Sequence, residues 1–246
     1  MVRKMYLRRT LISSIIFCIL PLYMVVTFRE KEINTVIRVS MGGEVYSPLT
    51  MVYIILIFFT PTILFLFLFS DFFSSDFEAM AVYVFTRAGN PFKYLMRKTL
   101  YLIGCVFGYT VINTALCFVI SGLAGGLSET DFKTAAGSVL MFFLNSLMLA
   151  GLVSTLSMAV KSHYSFLLIS VLYMLSVLTG VYLPENIQGV LVKINPFLQG
   201  FYAWHDNPPV AGLLQPSVWI SVIYMAAVLF LDFFLFYQYV KRCDFI

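Results

Sequence analysis

The residues that could do chemistry are few in this sequence, and the first of them is Asp232, an acid inside a long apolar run. A charge at mid-bilayer costs about 2.5–3.5 kcal/mol on insertion scales, so an acid within a membrane helix is a candidate for binding a substrate or an ion. The alternative is a structural role, in which Asp232 pairs with Arg8, Arg9 or Lys98 near one membrane surface and only orients helices. A single acid without a His or Lys relay argues little for proton coupling, which favours the structural role.

Other polar side chains inside apolar runs are Asn113 and Asn145, which could hydrogen-bond between helices or line a polar path. An enzyme would need His, Ser or carboxylate groups clustered near one surface, and the two histidines, His163 and His205, are expected on opposite sides. His205 and Asp206 form a lone pair in a Pro-rich turn, which is no metal site. We therefore predict no catalytic residue, no metal site and no cofactor on this chain itself.

The cysteines also argue against a metal site. They lie in apolar runs or at the C-terminus, at Cys18, Cys105, Cys117 and Cys243. None falls in an expected external loop and none has a metal-ligand spacing such as CxxC, so we infer neither disulfides nor zinc.

The overall composition indicates an integral membrane protein. Apolar residues make up 61% of the 246 residues and charged residues 11%, and the mean hydropathy is +0.92. Ordinary soluble domains are about 45–50% apolar and about 25% charged. The net charge of +4 is small and gives no reason to expect a nucleic-acid partner.

Six stretches are apolar enough and of about the length, roughly 20 residues, that a helix needs to cross a bilayer. They are residues 11–27, 50–70, 100–124, 134–160, 164–182 and 217–240. Helices are favoured because backbone groups have no water partners in lipid, and the runs lack the alternation of barrel strands. The first stretch has no small-residue cleavage site, so we predict an uncleaved helix in a single membrane domain, residues 1–246.

The basic residues predict the orientation of these helices. With the N-terminus inside, eleven of the 16 Lys and Arg residues lie on the cytoplasmic side and five on the external side. The predicted external residues include Arg29, Lys31 and Arg38, in the segment between the first two helices. Both termini are therefore predicted to be cytoplasmic.

The segment 71–87, between the second and third predicted helices, has the pattern of an amphipathic cytoplasmic helix. A narrow apolar stripe at helical spacing is formed by Phe73, Phe77, Met80 and Val84, with Asp71, Ser75, Glu78 and Thr86 opposite. Val82 and Phe85 depart from the stripe and lie among the acids, where an apolar pair could form a small docking patch. The alternative is a helix anchored in the membrane surface, with Val82 and Phe85 exposed by chance.

These features together resemble the permease subunits of ABC-2-type transporters. The resemblance rests on the topology and on two runs, EAMAVYVFTRAGNPFKYLMRKTL at residues 78–100 and GVYLPENIQGVLVKINPFLQGFYAW at residues 180–204. It implies six transmembrane helices with both ends cytoplasmic, a coupling helix at 71–87 and re-entrant external half-helices between helices 5 and 6. It also implies location in the cytoplasmic membrane, in contact with membrane lipid.

In such a family a cytoplasmic ATPase grips the coupling helix. The sequence contains no GxxxxGK[ST] phosphate loop, so ATP and Mg would be bound by a separate ATPase subunit. The resemblance also implies a second permease subunit, for which a homodimer is the simplest arrangement. The residues it assigns to the ATPase contact are Asp76, Glu78, Val82, Phe85 and Arg87, with His163 in the KSHYS loop as a second contact.

Local features predict details of the helices. Pro21 and Pro61 are expected to kink the first two spans, and Gly104 and Gly108 form a GxxxG that permits close helix packing.

The apolar segment 183–216 predicts short helices that dip into the outer leaflet, with starts set by Pro184 and Pro196. Tyr202, Trp204 and Trp219 are expected at the outer interface, where amphipathic rings collect.

The cargo is predicted from the apolar spans, which suit a hydrophobic or amphipathic molecule better than a sugar or an ion. The small permeases that the chain resembles include exporters of amphipathic peptides, so peptide export is our leading hypothesis, and a drug or a lipid is the alternative cargo. The alternative is a membrane protein without a motor, such as a bacteriocin-immunity factor or a small secondary carrier. A carrier would be expected to show matched broken helices, and the sequence shows no clear internal repeat.

Overall fold

A computed structural model describes residues 2–27, 29, 31–44, 60–74, 91–127, 131–182, 184–205 and 217–242. Every regular element in those ranges is helical. The α-helices are α1 (Val2–Phe17), α2 (Ile19–Thr27), α3 (Ile33–Ser40), α4 (Thr60–Phe69), α5 (Pro91–Leu123), α6 (Phe132–Ala159), α7 (Ser162–Tyr182), α8 (Glu185–Ile194) and α9 (Val218–Arg242). Two short 3-10 helices lie at Pro196–Leu198 and Tyr202–His205.

The chain is a multi-pass membrane protein, because five of the described helical segments are long and apolar enough to cross a bilayer. They are Arg8–Thr27, Phe92–Leu123, Phe132–Ala159, Ser162–Thr179 and Val218–Tyr239. Their limits lie within three residues of the predicted stretches, except that the third crossing begins at Phe92 and not at residue 100. The remaining stretch, 50–70, is described only over α4 and its following turn, so the sixth crossing remains a prediction.

Pro21 interrupts the first crossing, as the sequence predicts. A proline in a helix clashes with the carbonyl four residues earlier, which here belongs to Phe17. Helix α1 ends at that residue and α2 begins at Ile19. The kink therefore lies at Cys18, whose amide still bonds to the carbonyl of Ser14 at 3.2 Å. Pro61 lies in the first turn of α4, and a kink there would fall outside the described residues.

The helices alternate in direction, so the start of α1 and the end of α9 lie at the same end of the bundle. Helix α4 is antiparallel to α1, because the ring of Tyr6 packs against Phe69. Lys98, near the start of α5, donates to the carbonyl of Phe72 at 2.7 Å, and Tyr239 of α9 donates to the carbonyl of Met158 at 2.9 Å. We call this the N-terminal end; that it faces the cytoplasm remains a prediction.

Helix α6 lies at the centre of the bundle. Of its most apolar window 56% is buried, against 11% for α9 and 28% for α5. It carries buried residues on nearly every face between Met141 and Ser154. The more peripheral α5 and α9 leave long apolar faces exposed, as expected of helices that contact lipid or a second membrane subunit. The face with Gly104 and Gly108 is one of these: a Cβ built on either glycine meets nothing within 4 Å.

The segment after the first crossing, for which only an external position was predicted, contains a helix. Helix α3 buries Ile33, Val36, Ile37 and Val39. The spacing of Ile33, Val36 and Ile37 is that of an apolar helix face, although no helix was predicted there. The helix is held from its start, where the amide of Ile33 donates to the carbonyl of Gly126 at 3.2 Å.

The predicted short helices after α7 are present. Pro184 immediately precedes α8, and Asn195 accepts a hydrogen bond from the amide of Phe197 at 3.0 Å, with Pro196 at the first position of the 3-10 helix. Proline suits that position because the amide it lacks would have no partner in the helix. That these helices re-enter a membrane leaflet remains a prediction.

Trp204 is not at an interface, and the expectation for it is wrong. Its side chain is 0% exposed, whereas that of Trp219 is 72% exposed. The indole of Trp204 donates to the carbonyl of Gly43 at 3.2 Å, and the amide of Ala203 donates to the carbonyl of Gly42 at 2.9 Å. These bonds tie the segment to the turn that follows α3, and Trp204 packs in the core.

Candidate functional site

A cavity of about 490 Å³ that could bind a ligand lies between α5, α6 and α9, towards the N-terminal end. Its walls are mostly apolar and rich in phenylalanine, contributed by Phe73, Phe92, Phe230, Phe233 and Phe236. Cavities of about 300–1,000 Å³ hold drug-sized ligands. The volume is therefore enough for a small amphipathic molecule or for a few side chains of a peptide.

The cavity opens onto the outer surface of the bundle. Met96 and Leu100 of α5, on its wall, are 40% and 60% exposed, and Phe230 of α9 is 73% exposed. These side chains belong to membrane-crossing segments. A ligand dissolved in the bilayer could therefore enter between α5 and α9 without passing through water.

Asp232 projects into this cavity as a partly buried side chain. Its Oδ2 accepts a hydrogen bond from Thr155 Oγ1 of α6 at 3.1 Å. Gly151, one turn earlier on α6, makes room for the carboxylate: a Cβ built there would lie 2.9 Å from Oδ2. The acid is thus positioned by two small residues on one face of the central helix.

Two of the three basic residues considered as partners of Asp232, Arg9 and Lys98, are engaged elsewhere. Arg9 pairs with Asp71, and Lys98 donates to the carbonyl of Phe72 and lies 4.8 Å from its ring centroid. Among the described residues the ion pairs are Arg9–Asp71 and Arg38–Glu44. Asp232 therefore forms no ion pair with a described residue, and the interpretation of it as half of a structural ion pair is wrong to that extent. Its hydrogen-bond partner is the hydroxyl of Thr155.

Asn113 and Asn145 lie in the core away from this cavity. Asn113 is 0% exposed and Asn145 is 5% exposed. Asn145 packs closely against the backbone at Gly200, where an added Cβ would lie 2.3 Å from its Cγ. It also borders a cavity of about 20 Å³ shared with Tyr173, which is about the size of a single water molecule. This site is too small for cargo, and its geometry fits the structural role.

The predicted ATPase contacts are described only in part. His163 is exposed in the first turn of α7, at the N-terminal end, and its ring lies 4.4 Å from that of Tyr164. The other assigned residues, Asp76, Glu78, Val82, Phe85 and Arg87, lie outside the described residues. Of the apolar stripe, Phe73 is described: it is 3% exposed and contacts Phe236 at a centroid distance of 4.3 Å.

Sequence reasoning identified Asp232 and missed the residues that surround it. Gly151 and Thr155 are four apart on α6 and therefore share a face, but nothing in the sequence pairs that face with Asp232 of α9. Of the phenylalanines in the wall, only Phe73 was considered from the sequence, as part of the apolar stripe of segment 71–87. Across the described ranges, no group of three or more His, Cys, Asp or Glu side chains could hold a metal ion.

Comparisons of the chain with family models, with curated proteins and with solved structures found no match. The functional argument therefore rests on the sequence and on the geometry of the cavity.

Proposed function

We propose that this chain is the membrane-spanning subunit of an ATP-driven ABC transporter that exports hydrophobic or amphipathic cargo, such as peptides, across the cytoplasmic membrane. A separate ATPase subunit would bind ATP and Mg, and two copies of the chain would form the pathway. The proposal starts from the resemblance to ABC-2-type permeases in the runs at residues 78–100 and 180–204. The cavity adds a physical reason to connect the predicted coupling segment with cargo.

The observation that carries the proposal is the position of the cavity between the two flanks of the coupling segment. Phe73 lies near the start of that segment, residues 71–87, and Phe92 follows it, and both line the cavity. Phe73 is also packed against Phe236 of α9. A force that an ATPase applies to the segment between them would therefore be transmitted to the cavity wall along the covalent chain.

A mechanism follows from this connection. Cargo enters from the bilayer between α5 and α9, where the walls are apolar and exposed at Leu100 and Phe230. ATP binding by the motor displaces the coupling segment, moves Phe73 and Phe92, and changes the volume of the cavity. Hinge-like movements of this kind let packed helices switch between two arrangements.

One observation favours the alternative of a carrier without a motor. Asp232 is an acid within a membrane helix and has no ionic partner among the described residues, as a proton- or ion-coupled carrier would require. The two functions differ in their need for an ATPase, so the experiment below separates them.

The test is co-purification. The tagged chain is extracted from its native membranes in mild detergent, and the proteins that elute with it in stoichiometric amount are identified by mass spectrometry. The experiment is repeated with Phe85→Glu, which places a charge in the predicted docking patch. The matched control is Phe132→Glu, at the start of α6 and therefore at the opposite end of the bundle, where the side chain is 76% exposed.

The proposal predicts that a P-loop ATPase elutes with the wild type and with Phe132→Glu and is lost, at least tenfold, with Phe85→Glu. Elution of the wild type without any ATPase, in several detergents, would contradict it and favour the carrier or an immunity factor. Equal ATPase recovery with both variants would leave the partner in place and contradict the docking patch.

A further inference from the structure

We infer that the cavity between α5, α6 and α9 binds a lipophilic organic cation, with the positive group of the ligand at Asp232. The inference deepens the proposed function, because it names the charge and class of the cargo, and to that extent rests on it. The binding site itself is argued from the described residues alone.

The charge of the ligand follows from the charge of the cavity. The residues that line it include one carboxylate, Asp232, and no Lys, Arg or His among those described. Its hydrogen-bond partner is the neutral hydroxyl of Thr155. Removing a carboxylate from water is costly unless it is paired. A cation in the cavity offsets that cost, whereas an anion would add repulsion.

The chemistry of the walls excludes a small hydrated ion. Apart from Asp232, the polar side chains among the described lining residues are Thr99 and Thr155, which cannot replace the hydration shell of a metal ion or of sodium. Phenylalanine faces attract organic cations within about 6 Å of the ring centroid, and the attraction strengthens when the cation is desolvated. Phe233 and Phe236 flank Asp232 on α9 and are placed to supply such faces.

The size and opening of the cavity specify the rest of the ligand. About 490 Å³ is more than a simple ammonium ion fills, so an apolar body must accompany the charge. The exposed wall residues Met96 and Leu100 lie on a face directed out of the bundle, which suits a ligand that partitions into the membrane. A basic side chain of an amphipathic peptide and a small lipophilic amine both meet this description.

The experiment uses a pair of probes of the same shape and opposite charge. Tetraphenylphosphonium is a lipophilic cation, and tetraphenylborate is its anionic counterpart. Saturable binding of each is measured by equilibrium titration to the purified full-length chain in lipid nanodiscs, with empty nanodiscs subtracted. Wild type is expected to bind the cation saturably and the anion at least tenfold more weakly.

The first variant is Asp232→Asn, which keeps the shape and a hydrogen-bond acceptor for Thr155 while removing the charge. It is expected to weaken cation binding at least tenfold, with elution volume and thermal midpoint showing that the variant is folded. Equal affinity of wild type and Asp232→Asn for the cation would overturn the inference. So would equal binding of the two probes by wild type, which would indicate a cavity for lipid acyl chains.

A second variant keeps the inference testable if the first does not fold. Leu100→Trp adds bulk at the mouth of the cavity without changing its charge, and Leu123→Trp is the matched control. Leu123 lies on the same helix, is 86% exposed and does not line the cavity. Leu100→Trp should weaken cation binding at least fivefold and Leu123→Trp should not. Equal affinities would overturn the assignment of the binding site to this cavity.

The outcome can be separated from that of the proposed function because no ATPase is present in the binding assay. Cation binding that depends on Asp232, in a chain that recovers no ATPase, would support the site and contradict the motor. An ATPase partner without charge-selective binding would support the motor and contradict the site.

Discussion

The burial of Trp204 leads to the most specific structural prediction. The chain has two tryptophans, and the structure places them in opposite environments: Trp204 is 0% exposed and Trp219 is 72% exposed. Trp204→Ala should therefore destabilise the fold strongly, and Trp219→Ala, the matched control, should change it little.

The magnitude follows from what each change removes. Replacing a fully buried tryptophan by alanine typically costs about 3–5 kcal/mol. Trp204→Phe keeps most of the ring contact with Phe201, at a centroid distance of 4.4 Å, but removes the hydrogen bond to Gly43. Leaving a buried carbonyl without its donor costs about 1–3 kcal/mol. The control should lie within about 0.5 kcal/mol of wild type.

The assay is thermal unfolding of the purified chain in one detergent, followed by the loss of helical circular dichroism. For a chain of this length, 1 kcal/mol shifts the midpoint by about 2–4 °C. Trp204→Ala should therefore lower the midpoint by roughly 6–20 °C, and Trp204→Phe by roughly 2–12 °C.

An equal effect of Trp204→Ala and Trp219→Ala would refute the reasoning. Quenching by brominated lipid gives an independent check that needs no unfolding. In the single-tryptophan variants, Trp219 should be quenched and Trp204 protected, and efficient quenching of Trp204 would return it to the membrane interface.

Two further predictions concern helix α6. Gly137→Ala should lower the thermal midpoint by roughly 2–12 °C, because the new Cβ would lie 2.2 Å from a ring carbon of Tyr202 and overpacking costs about 1–3 kcal/mol. Gly104→Ala is the control. A Cβ at Gly104 meets nothing within 4 Å, so this variant should be neutral or stabilising. A hydrogen bond from Thr134, and a second from the amide of Lys133, lower the pKa of Asp131 below its ordinary 3.8. The stabilisation that the Asp131 carboxylate gives to the start of α6 is therefore complete above its ordinary pKa and is lost as pH falls through the lowered pKa. The difference in thermal midpoint between wild type and Asp131→Ala should shrink between pH 7 and pH 2. A constant difference would contradict the stabilising role of these hydrogen bonds.

The membrane crossings could be predicted from sequence because they depend on length and apolar composition alone. The predicted stretch 134–160 became Phe132–Ala159, and 217–240 became Val218–Arg242. The proline kink could also be predicted, since a clash with the preceding turn is a local property of the chain. Helix α3 carried a usable signal in the apolar spacing of Ile33, Val36 and Ile37, but no helix was predicted there.

The wrong expectations for Trp204 and for the partner of Asp232 arose because both depend on contacts between distant parts of the chain. The interfacial preference of tryptophan is a statistical tendency of exposed rings, and at Trp204 it was overridden by two hydrogen bonds to a distant glycine turn. At that turn Gly43 adopts a φ of 72°, a conformation that favours glycine. The partner of Asp232 depends on how α6 and α9 are rotated against each other, which no single sequence reveals.

The candidate site was therefore predictable only as an isolated acid. The cavity around it is formed by three helices and a turn that are far apart in sequence. Its volume and its opening are properties of packing. They change the interpretation of Asp232 from half of an ion pair to the one charged group among the described residues that line an apolar cavity.

Native mass spectrometry of the chain, released from its own membranes in mild detergent, tests the central claim most directly. The account predicts a complex that contains two copies of the 28.0 kDa chain together with P-loop ATPase subunits, and loss of those subunits with Phe85→Glu. The 28.0 kDa chain alone, or bound only to itself in every detergent tried, would contradict the account and make a motor-independent membrane protein the better explanation.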